Sequence, residues 1–270
     1  MKKLLYIIIA ICFCGIIASK AYSIDITLGA TTWYAQSEQY YTQEKSPGGV
    51  INNSKSKSDA AFLYGPTLAV RLSPDFNLTF VYLYGHFEAD KDQGSGRKSK
   101  AKFSRSDSDL ALNYRLSEYF KVFAGAKYLS YGITPAKTDY TNFQIDGNVD
   151  IHTSYGPGLG LSATVPLYPI SGNLFCLATV SGLYLWGDHD AKLTDLPAGP
   201  THTVNLKYNE YGVNSTLALA YYIAPASVVV SLGGRFQYLV ADYDKNAIYL
   251  DSIKFTIWGA TLTATYTFSI

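Results

Sequence analysis

The sequence predicts an all-β protein, a closed antiparallel transmembrane β-barrel of about ten strands in up-and-down meander order. The first observation is the last strand, where Ala260, Leu262, Ala264, Tyr266 and Phe268 share one face and the intervening threonines share the other. Such a strand has one lipid-compatible face and one hydrated face, as membrane barrels require. The second observation is an N-terminal segment of the kind that directs export.

Residues 1–23 have the features of a cleaved signal peptide. Lys2 and Lys3 precede an apolar run over residues 4–18, and the small-x-small triplet at 21–23 fits a cleavage site. The run is shorter than the roughly 20 apolar residues that a spanning helix needs. We therefore expect residues 1–23 to be removed and residues 24–270 to form the barrel.

The composition of the remaining chain favours strands and excludes some classes of protein. Losing Lys2, Lys3 and Lys20 with the signal changes the formal charge from +1 to −2, which gives no reason to expect a nucleic-acid partner. Cys176 is then the only cysteine, so no intramolecular disulfide can form. The 24 tyrosines and 13 phenylalanines are residues that strands prefer.

Ten strands are predicted, joined alternately by short turns and long polar connections, as in outer-membrane barrels. The even number places both termini in the periplasm. The short turns lie at 73–76, 117–119, 168–173 and 224–226, and the long connections at 35–58, 91–102, 133–148, 188–202 and 244–251. The strands are expected at 24–34, 59–72, 77–90, 103–117, 120–132, 149–166, 174–187, 203–222, 227–243 and 252–269.

Charged side chains on one face of several strands predict a polar network in the lumen. In the fourth strand the odd positions are nearly all polar and the even positions are apolar. An arginine facing lipid near the midplane costs about 2–4 kcal/mol, so the polar face must point inward. The predicted lumen network consists of Arg105, Asp107, Asp109, Arg115, Lys127, Glu210 and Arg235.

Glycines and prolines within the predicted strands need separate explanations. Gly156, Gly158 and Gly160 share one parity and are expected to make room for bulky neighbours in the lumen. They are not a dinucleotide-binding motif, because the strand continues beyond them instead of starting a helix. Pro66 and Pro157 cannot donate to a closed ladder, so these sites are either bulged or placed outside the true strand boundaries.

The sequence lacks the common motifs of soluble enzymes, and no cofactor is expected. The four histidines, His86, His152, His189 and His202, lie near predicted outer strand ends or loops. Histidines at such positions are usually solvated, so no metal site is predicted.

Two acidic clusters give the chain a resemblance to the omptin family of outer-membrane proteases. Residues 90–92 (Asp-Lys-Asp) open the second long loop, and residues 188–190 (Asp-His-Asp) open the fourth. Residues 212–222 and the Tyr-x-Phe ending also resemble omptin segments. Omptins are ten-stranded barrels in which an Asp pair faces an Asp-His pair across the mouth and the two pairs hold the attacking water. The resemblance implies catalytic roles for Asp90, Asp92, Asp188 and His189.

The spacing of the second cluster departs from the omptin pattern. Omptins separate Asp and His by one residue, whereas Asp188 and His189 are adjacent and should face opposite ways unless a bulge reorients one. We therefore expect a non-enzymatic surface or envelope protein, or a narrow porin-like pore. The alternative is an omptin-like protease or another rim hydrolase, and a soluble secreted β-sandwich comes third.

These features predict the location and the partners of the protein. We expect it in the outer membrane of a Gram-negative bacterium, with outer-membrane lipid, lipopolysaccharide and the barrel-assembly machinery as partners. The basic residues Arg97, Lys98, Lys100 and Lys102 are candidates for contacts with lipopolysaccharide phosphates. Side chains just fill the lumen of an eight-stranded barrel, and ten strands give only a slightly wider one, so we expect no large diffusion pore.

Overall fold

The computed structural model is a closed antiparallel barrel in which consecutive strands pair with each other in up-and-down order. It has ten strand positions around its wall, which we call staves. It describes residues 24–42, 54–92, 98–134, 150–194, 201–243 and 252–270. The strands are β1 (Asp25–Thr42), β2 (Ser54–Ser58), β3 (Ala61–Arg71), β4 (Phe76–Asp92), β5 (Lys98–Arg115), β6 (Phe120–Thr134), β7 (Asp150–Pro166), β8 (Leu174–Thr194), β9 (Thr201–Ile223), β10 (Val228–Tyr243) and β11 (Ser252–Ser269).

The barrel closes because β1 pairs with β11 along its whole length. The register runs from Asp25 opposite Ser269 to Thr42 opposite Ser252. On its other side β1 pairs with both β2 and β3, which together make one stave. The predicted fold class, the meander order and the number of staves are therefore confirmed.

Several strands extend beyond the predicted boundaries at the end that carries the long connections. β1 continues to Thr42 instead of residue 34, and β8 continues to Thr194 instead of residue 187. Residues 90–92 and 188–190 consequently lie in strands and do not open loops, which corrects the sequence-based placement. The hydropathy alternation disappears in these extensions, because their outward side chains are polar and their inward ones include Ser37 and His189, while the hydrogen-bonded pairing continues.

The other end, which we call the turn end, has four tight connections. Ser73 Oγ accepts hydrogen bonds from the backbone N–H groups of Asp75 and Phe76, at 3.3 and 3.1 Å. Ser117 Oγ accepts one from Phe120 N–H at 3.2 Å. The last turn is a short 3₁₀ segment, Ala224–Ala226, followed by Ser227 at φ 52°. Serine side chains thus supply the acceptors that these short turns need.

Neither proline lies at a bulge, and both lie inside strands. Pro66 pairs with Ala30, and Pro157 pairs with Ala126. On the opposite side of each proline the ladder skips two residue pairs and then resumes in the same register. Each proline therefore interrupts the hydrogen-bonded ladder on one side, and the register of the strand does not change. The expectation of a bulge or a boundary error at these sites was wrong.

The stave formed by β2 and β3 does contain a bulge, at Asp59 and Ala60. Between the pairs Ala35–Ala61 and Glu38–Lys57, β1 has one residue fewer than its partner. Ser58 satisfies the neighbouring groups, since its carbonyl accepts from Gln36 Nε2 and its Oγ accepts from Ser37 N–H, both at 2.9 Å. The extra residue reverses the parity, so that Ser58 and Leu63 both face the lumen.

Side chains alternate between the lumen and the exterior, as the sequence predicts. In β5, Arg105 and Asp107 are buried while Leu112 and Tyr114 are exposed. Leucines on other strands follow the same alternation and are exposed, for example Leu159, Leu217 and Leu232. Among the described residues, no helix is long and apolar enough to cross a membrane.

Glycines occupy places where strands approach closely, and two neighbouring glycines give a matched test. A Cβ atom on Gly212 would lie 1.9 Å from the carbonyl oxygen of Tyr238, whereas one on Gly182 would meet no atom within 4 Å. We expect Gly212→Ala to lower the free energy of unfolding by about 1–3 kcal/mol and Gly182→Ala to leave it nearly unchanged. Urea unfolding in detergent micelles measures both, and equal effects would contradict this close approach.

Candidate functional site: the filled lumen

An ion-pair network crosses the lumen near mid-height and centres on Asp107. Lys127 Nζ lies 2.5 Å from Asp107 Oδ1 and 2.8 Å from Asp109 Oδ1. Arg105 Nη2 lies 3.3 Å from Asp107 Oδ2. The side chains of Arg105, Asp107 and Lys127 are almost completely inaccessible to solvent. Strand alternation on β5 and the register with β6 bring these groups together, since Asp109 is directly opposite Lys127.

Arg235 on β10 joins this network from across the lumen. Its Nη2 lies 3.3 Å from Asp109 Oδ2 and 3.5 Å from Asp107 Oδ2. Its Nε donates to Asn214 Oδ1 at 3.1 Å, and its guanidinium lies 4.6 Å from the centroid of the Trp33 ring. Contacts between strands that are not neighbours show that the network spans the lumen and does not merely line the wall.

Arg105 connects the network to a second buried carboxylate, Glu210. Its Nη2 donates to Gln237 Oε1, and its guanidinium lies 4.8 Å from the centroid of the Tyr131 ring. The Tyr131 hydroxyl in turn donates to Glu210 Oε1 at 2.8 Å, and Ser154 Oγ donates to Glu210 Oε2 at 2.5 Å. Glu210 is thus satisfied by hydroxyl groups, and a buried acid without such donors would be costly.

On the loop side of the network, aromatic and aliphatic side chains fill the lumen. His152 and His189 stack with their ring centroids 3.8 Å apart, and the Tyr243 hydroxyl lies 3.2 Å from Nδ1 of each ring. Tyr131 stacks on Phe255 at 4.9 Å. The buried apolar members around them are Leu129, Leu183, Leu185, Tyr208, Leu239, Ala241 and Ile253. A second apolar cluster beside it contains Trp33, Ala35, Leu63, Leu83, Phe87 and Ile257.

On the turn side of the network the lumen opens into a cavity of about 330 Å³. Its walls carry many hydroxyl and amide groups, and Asp109 and Lys127 lie at the network end. Lumen glycines make room for large rings here, since a Cβ on Gly160 would lie 2.3 Å from the Phe123 ring. Within the described residues, the lumen is therefore filled by the network and the apolar clusters and hollow toward the turn end.

The structure brings together most of the residues proposed for the lumen network. Arg105, Asp107, Asp109, Lys127 and Arg235 are linked by ion pairs, while Glu210 is joined to them through Tyr131. Arg115 lies apart, exposed at the turn end of β5. Sequence reasoning missed the roles of Tyr131, Ser154 and Trp33. Strand alternation in the sequence indicates that these three residues face the lumen. It does not indicate their partners, which lie on distant strands.

The residues implied by the omptin resemblance do not share a face where their side chains are described. His189 is buried in the lumen, whereas Asp188 is exposed on the outer surface. Asp90 and Asp92 lie at the loop end of β4, and their side chains are outside the described residues. His86 is exposed, and the side chain of His202 also lies outside the described part. No group of three or more metal-ligating side chains is found in the described part of the chain.

The structure is similar to solved outer-membrane β-barrels. The outer membrane protease OmpT of Escherichia coli matches with a TM-score of 0.60, at 14% sequence identity, over 92% of this chain and 98% of that chain. The outer membrane proteins AlkL and, from Pseudomonas aeruginosa, OprG match with TM-scores of 0.44 and 0.40, each at 11% identity. They cover 94% and 92% of this chain, and 94% and 97% of their own.

At this level of identity the likeness to OmpT establishes the fold alone. It confirms the predicted resemblance to outer-membrane barrels, including the loose likeness to omptins. No family model matches the chain, and no curated protein matches its sequence.

The network predicts a large stability effect at Asp107 and almost none at its outward neighbour. Asp107→Asn should lower the free energy of unfolding by about 3–5 kcal/mol, because removing one partner leaves buried cations uncompensated. Ser108→Ala, on the outer face of the same strand, is the control and should be nearly neutral. Urea unfolding followed by tryptophan fluorescence measures both variants, and comparable losses would show that Asp107 does not anchor the network.

Proposed function

We propose that this protein is an integral barrel of the bacterial outer membrane with a closed lumen and a non-enzymatic role at the cell surface. The observation that carries the proposal is an apolar outer surface around a lumen filled with paired charges and packed rings. A soluble protein would not expose a band of large apolar side chains to water while it buries paired charges at its centre.

The outer surface has the layers expected of a membrane barrel. Leucines are exposed in a band around the barrel, for example Leu159 at 63%, Leu217 at 62% and Leu232 at 64%. Aromatic side chains lie above and below them, and some pair, such as Tyr34 with Phe62 and Phe76 with Tyr114. Apolar bands flanked by aromatic girdles match the hydrocarbon core and the two headgroup regions of a bilayer.

The burial of the side chains in the lumen favours a closed barrel and argues against a narrow pore. Arg105 is 2% exposed and Asp107 is 1% exposed, so neither water nor ions reach the centre of the network. A path through this layer would have to separate ion pairs that are shielded from solvent. Separating such pairs costs several kcal/mol, which is too much for free diffusion.

Lipid, lipopolysaccharide and the barrel-assembly machinery belong to the same proposal as partners. Lys102 and Lys57 lie on the outer face near the loop end, each in an ion pair with a glutamate. Lys254 lies 5.9 Å from the centroid of the Tyr40 ring on the same surface. Exposed lysines above an aromatic girdle are suited to contact lipopolysaccharide phosphates.

A rim hydrolase remains the alternative function, but the described geometry does not favour it. Asp188 and His189 lie on opposite faces of β8, so their side chains cannot hold one water between them. His189 packs in the aromatic cluster with His152 and Tyr243. A structural role in closing the lumen accounts for these contacts.

Membrane integration predicts a depth-dependent effect of arginine on the outer surface. Leu217 lies on the outer face of β9 between the exposed residues Tyr211 and Tyr221, near the middle of the apolar band, whereas Leu116 follows β5 at the turn end. In lipid vesicles, Leu217→Arg should destabilise the barrel by about 2–4 kcal/mol and Leu116→Arg by about 0–1 kcal/mol. Because both leucines are exposed, a soluble protein would tolerate both changes equally, and that result would contradict membrane integration.

A closed lumen predicts that the purified protein conducts no ions in planar lipid bilayers. The barrel should first be shown to be folded by its heat-dependent mobility in SDS gels. Stable conductance steps would contradict the closed state. Cleavage of unstructured peptides that His189→Ala abolishes would instead support the hydrolase.

A further inference from the structure

A separate cavity of about 250 Å³ lies in the lumen mouth at the turn end. Positively charged side chains from three strands line it, namely Arg71 on β3, Arg115 on β5 and Lys121 on β6, with β4 between the first two. They have the same parity as the buried residues Leu63, Asp107 and Lys127 of their strands, so all three point into the lumen.

Only one of these three cations has a carboxylate partner among the described residues. Arg71 Nη1 lies 3.1 Å from Asp25 Oδ2, and the other oxygen of Asp25 accepts from Ser269 Oγ at 2.6 Å. In the described part of the chain, no carboxylate lies within 4.0 Å of the Arg115 or Lys121 charges, although Asp75 lines the same cavity. The mouth therefore has an excess of positive charge.

The two unpaired cations face each other at close range. Arg115 and Lys121 are directly opposite in the β5–β6 register. Like charges directly opposite on neighbouring strands destabilise a sheet, and an anion bound between them would turn this repulsion into attraction.

We propose that this mouth binds a small oxyanion, such as a phosphate or a solute that carries one. Each of the two guanidinium groups can donate two parallel hydrogen bonds, and the ammonium group adds a compact positive charge. Both features suit the oxygens of a phosphate-like anion. The hydroxyl groups of Thr27 and Thr267 and the amide of Asn77 line the same space and can complete the hydrogen bonds.

The position of the cations favours a dissolved anion over a lipid headgroup. Their side chains point into the lumen, while lipid would contact the opposite face of the same strands. The volume is below the roughly 300–1,000 Å³ typical of sites for drug-sized ligands, which indicates a small ligand. Asn113 borders both this mouth and the deeper cavity, so a solute with a larger body could extend inward.

The test is calorimetric titration of inorganic phosphate into the folded full-length barrel in a zwitterionic detergent. We expect saturable binding that weakens as sodium chloride is added. Lys121→Gln and Arg115→Gln should each raise the dissociation constant by about 10-fold, because each removes one charged hydrogen-bond donor. Lys102→Gln, at the other end of β5, is the matched control and should leave the dissociation constant unchanged.

Two results would overturn this assignment. One is the absence of phosphate binding by the folded barrel, or binding that the Lys121→Gln, Arg115→Gln double variant retains. The other is competition by phosphatidylglycerol in nanodiscs, because a lipid headgroup would then occupy the site in place of a dissolved anion. Heat-dependent gel mobility shows that each variant is folded, and the micelle titration does not depend on where the protein resides in the cell.

Discussion

The pairing of β1 with β11 is the constraint on which the rest of the structure depends. Once the ladder closes, no strand edge remains, and every residue must point either outward or into a narrow space. Within the apolar outer band, the outward positions can be apolar because no charge needs to be solvated there. The charges at that height lie on inward positions, and they must find partners across a short distance. The network around Asp107 is thus a consequence of closure, since Arg235 on β10 reaches Asp109 on β5 only because the sheet is rolled up.

Closure also explains why different kinds of side chain fill the lumen near mid-height and toward the loop end. Near mid-height, carboxylates and cations compensate one another, and Glu210 is held by the hydroxyl groups of Tyr131 and Ser154. Toward the loop end, the strands continue beyond the apolar outer band, and their inward side chains form apolar clusters with the histidine pair. A core of apolar side chains therefore lies inside the part of the barrel whose exterior carries aromatic residues such as Tyr64, Trp186 and Trp258, and burial of these side chains gains free energy from the exclusion of water.

Much of the fold could be predicted from the sequence, because alternation reports directly on the two faces of a strand. The ten staves, the turns at 73–76 and 224–226, and the inward direction of Arg105, Asp107 and Lys127 all follow from it. The strand extensions to Thr42 and Thr194 could not be predicted, because polar residues on the outward face and buried polar residues such as Ser37 and His189 on the inward face leave no hydropathy alternation. The bulge at Asp59 could not be predicted either, because it depends on the register between strands. The hydrogen bond between Glu210 and Tyr131 could not be predicted because it joins distant strands.

The asymmetry between the two ends decides from which side the lumen can be used. In the described part of the chain, packed rings and paired charges separate the loop end from the cavities near the turn end. A solute that enters at the turn end would first meet Arg71, Arg115 and Lys121, then a space lined by hydroxyl and amide groups, and finally the ion pairs of Asp109. Because Asp109 remains partly exposed on that side, with 31% of its side chain accessible, the network presents charge to the cavity while its core stays dry. In the closed barrel that we propose, this arrangement makes the lumen a blind pocket, which a solute can enter and bind but does not cross.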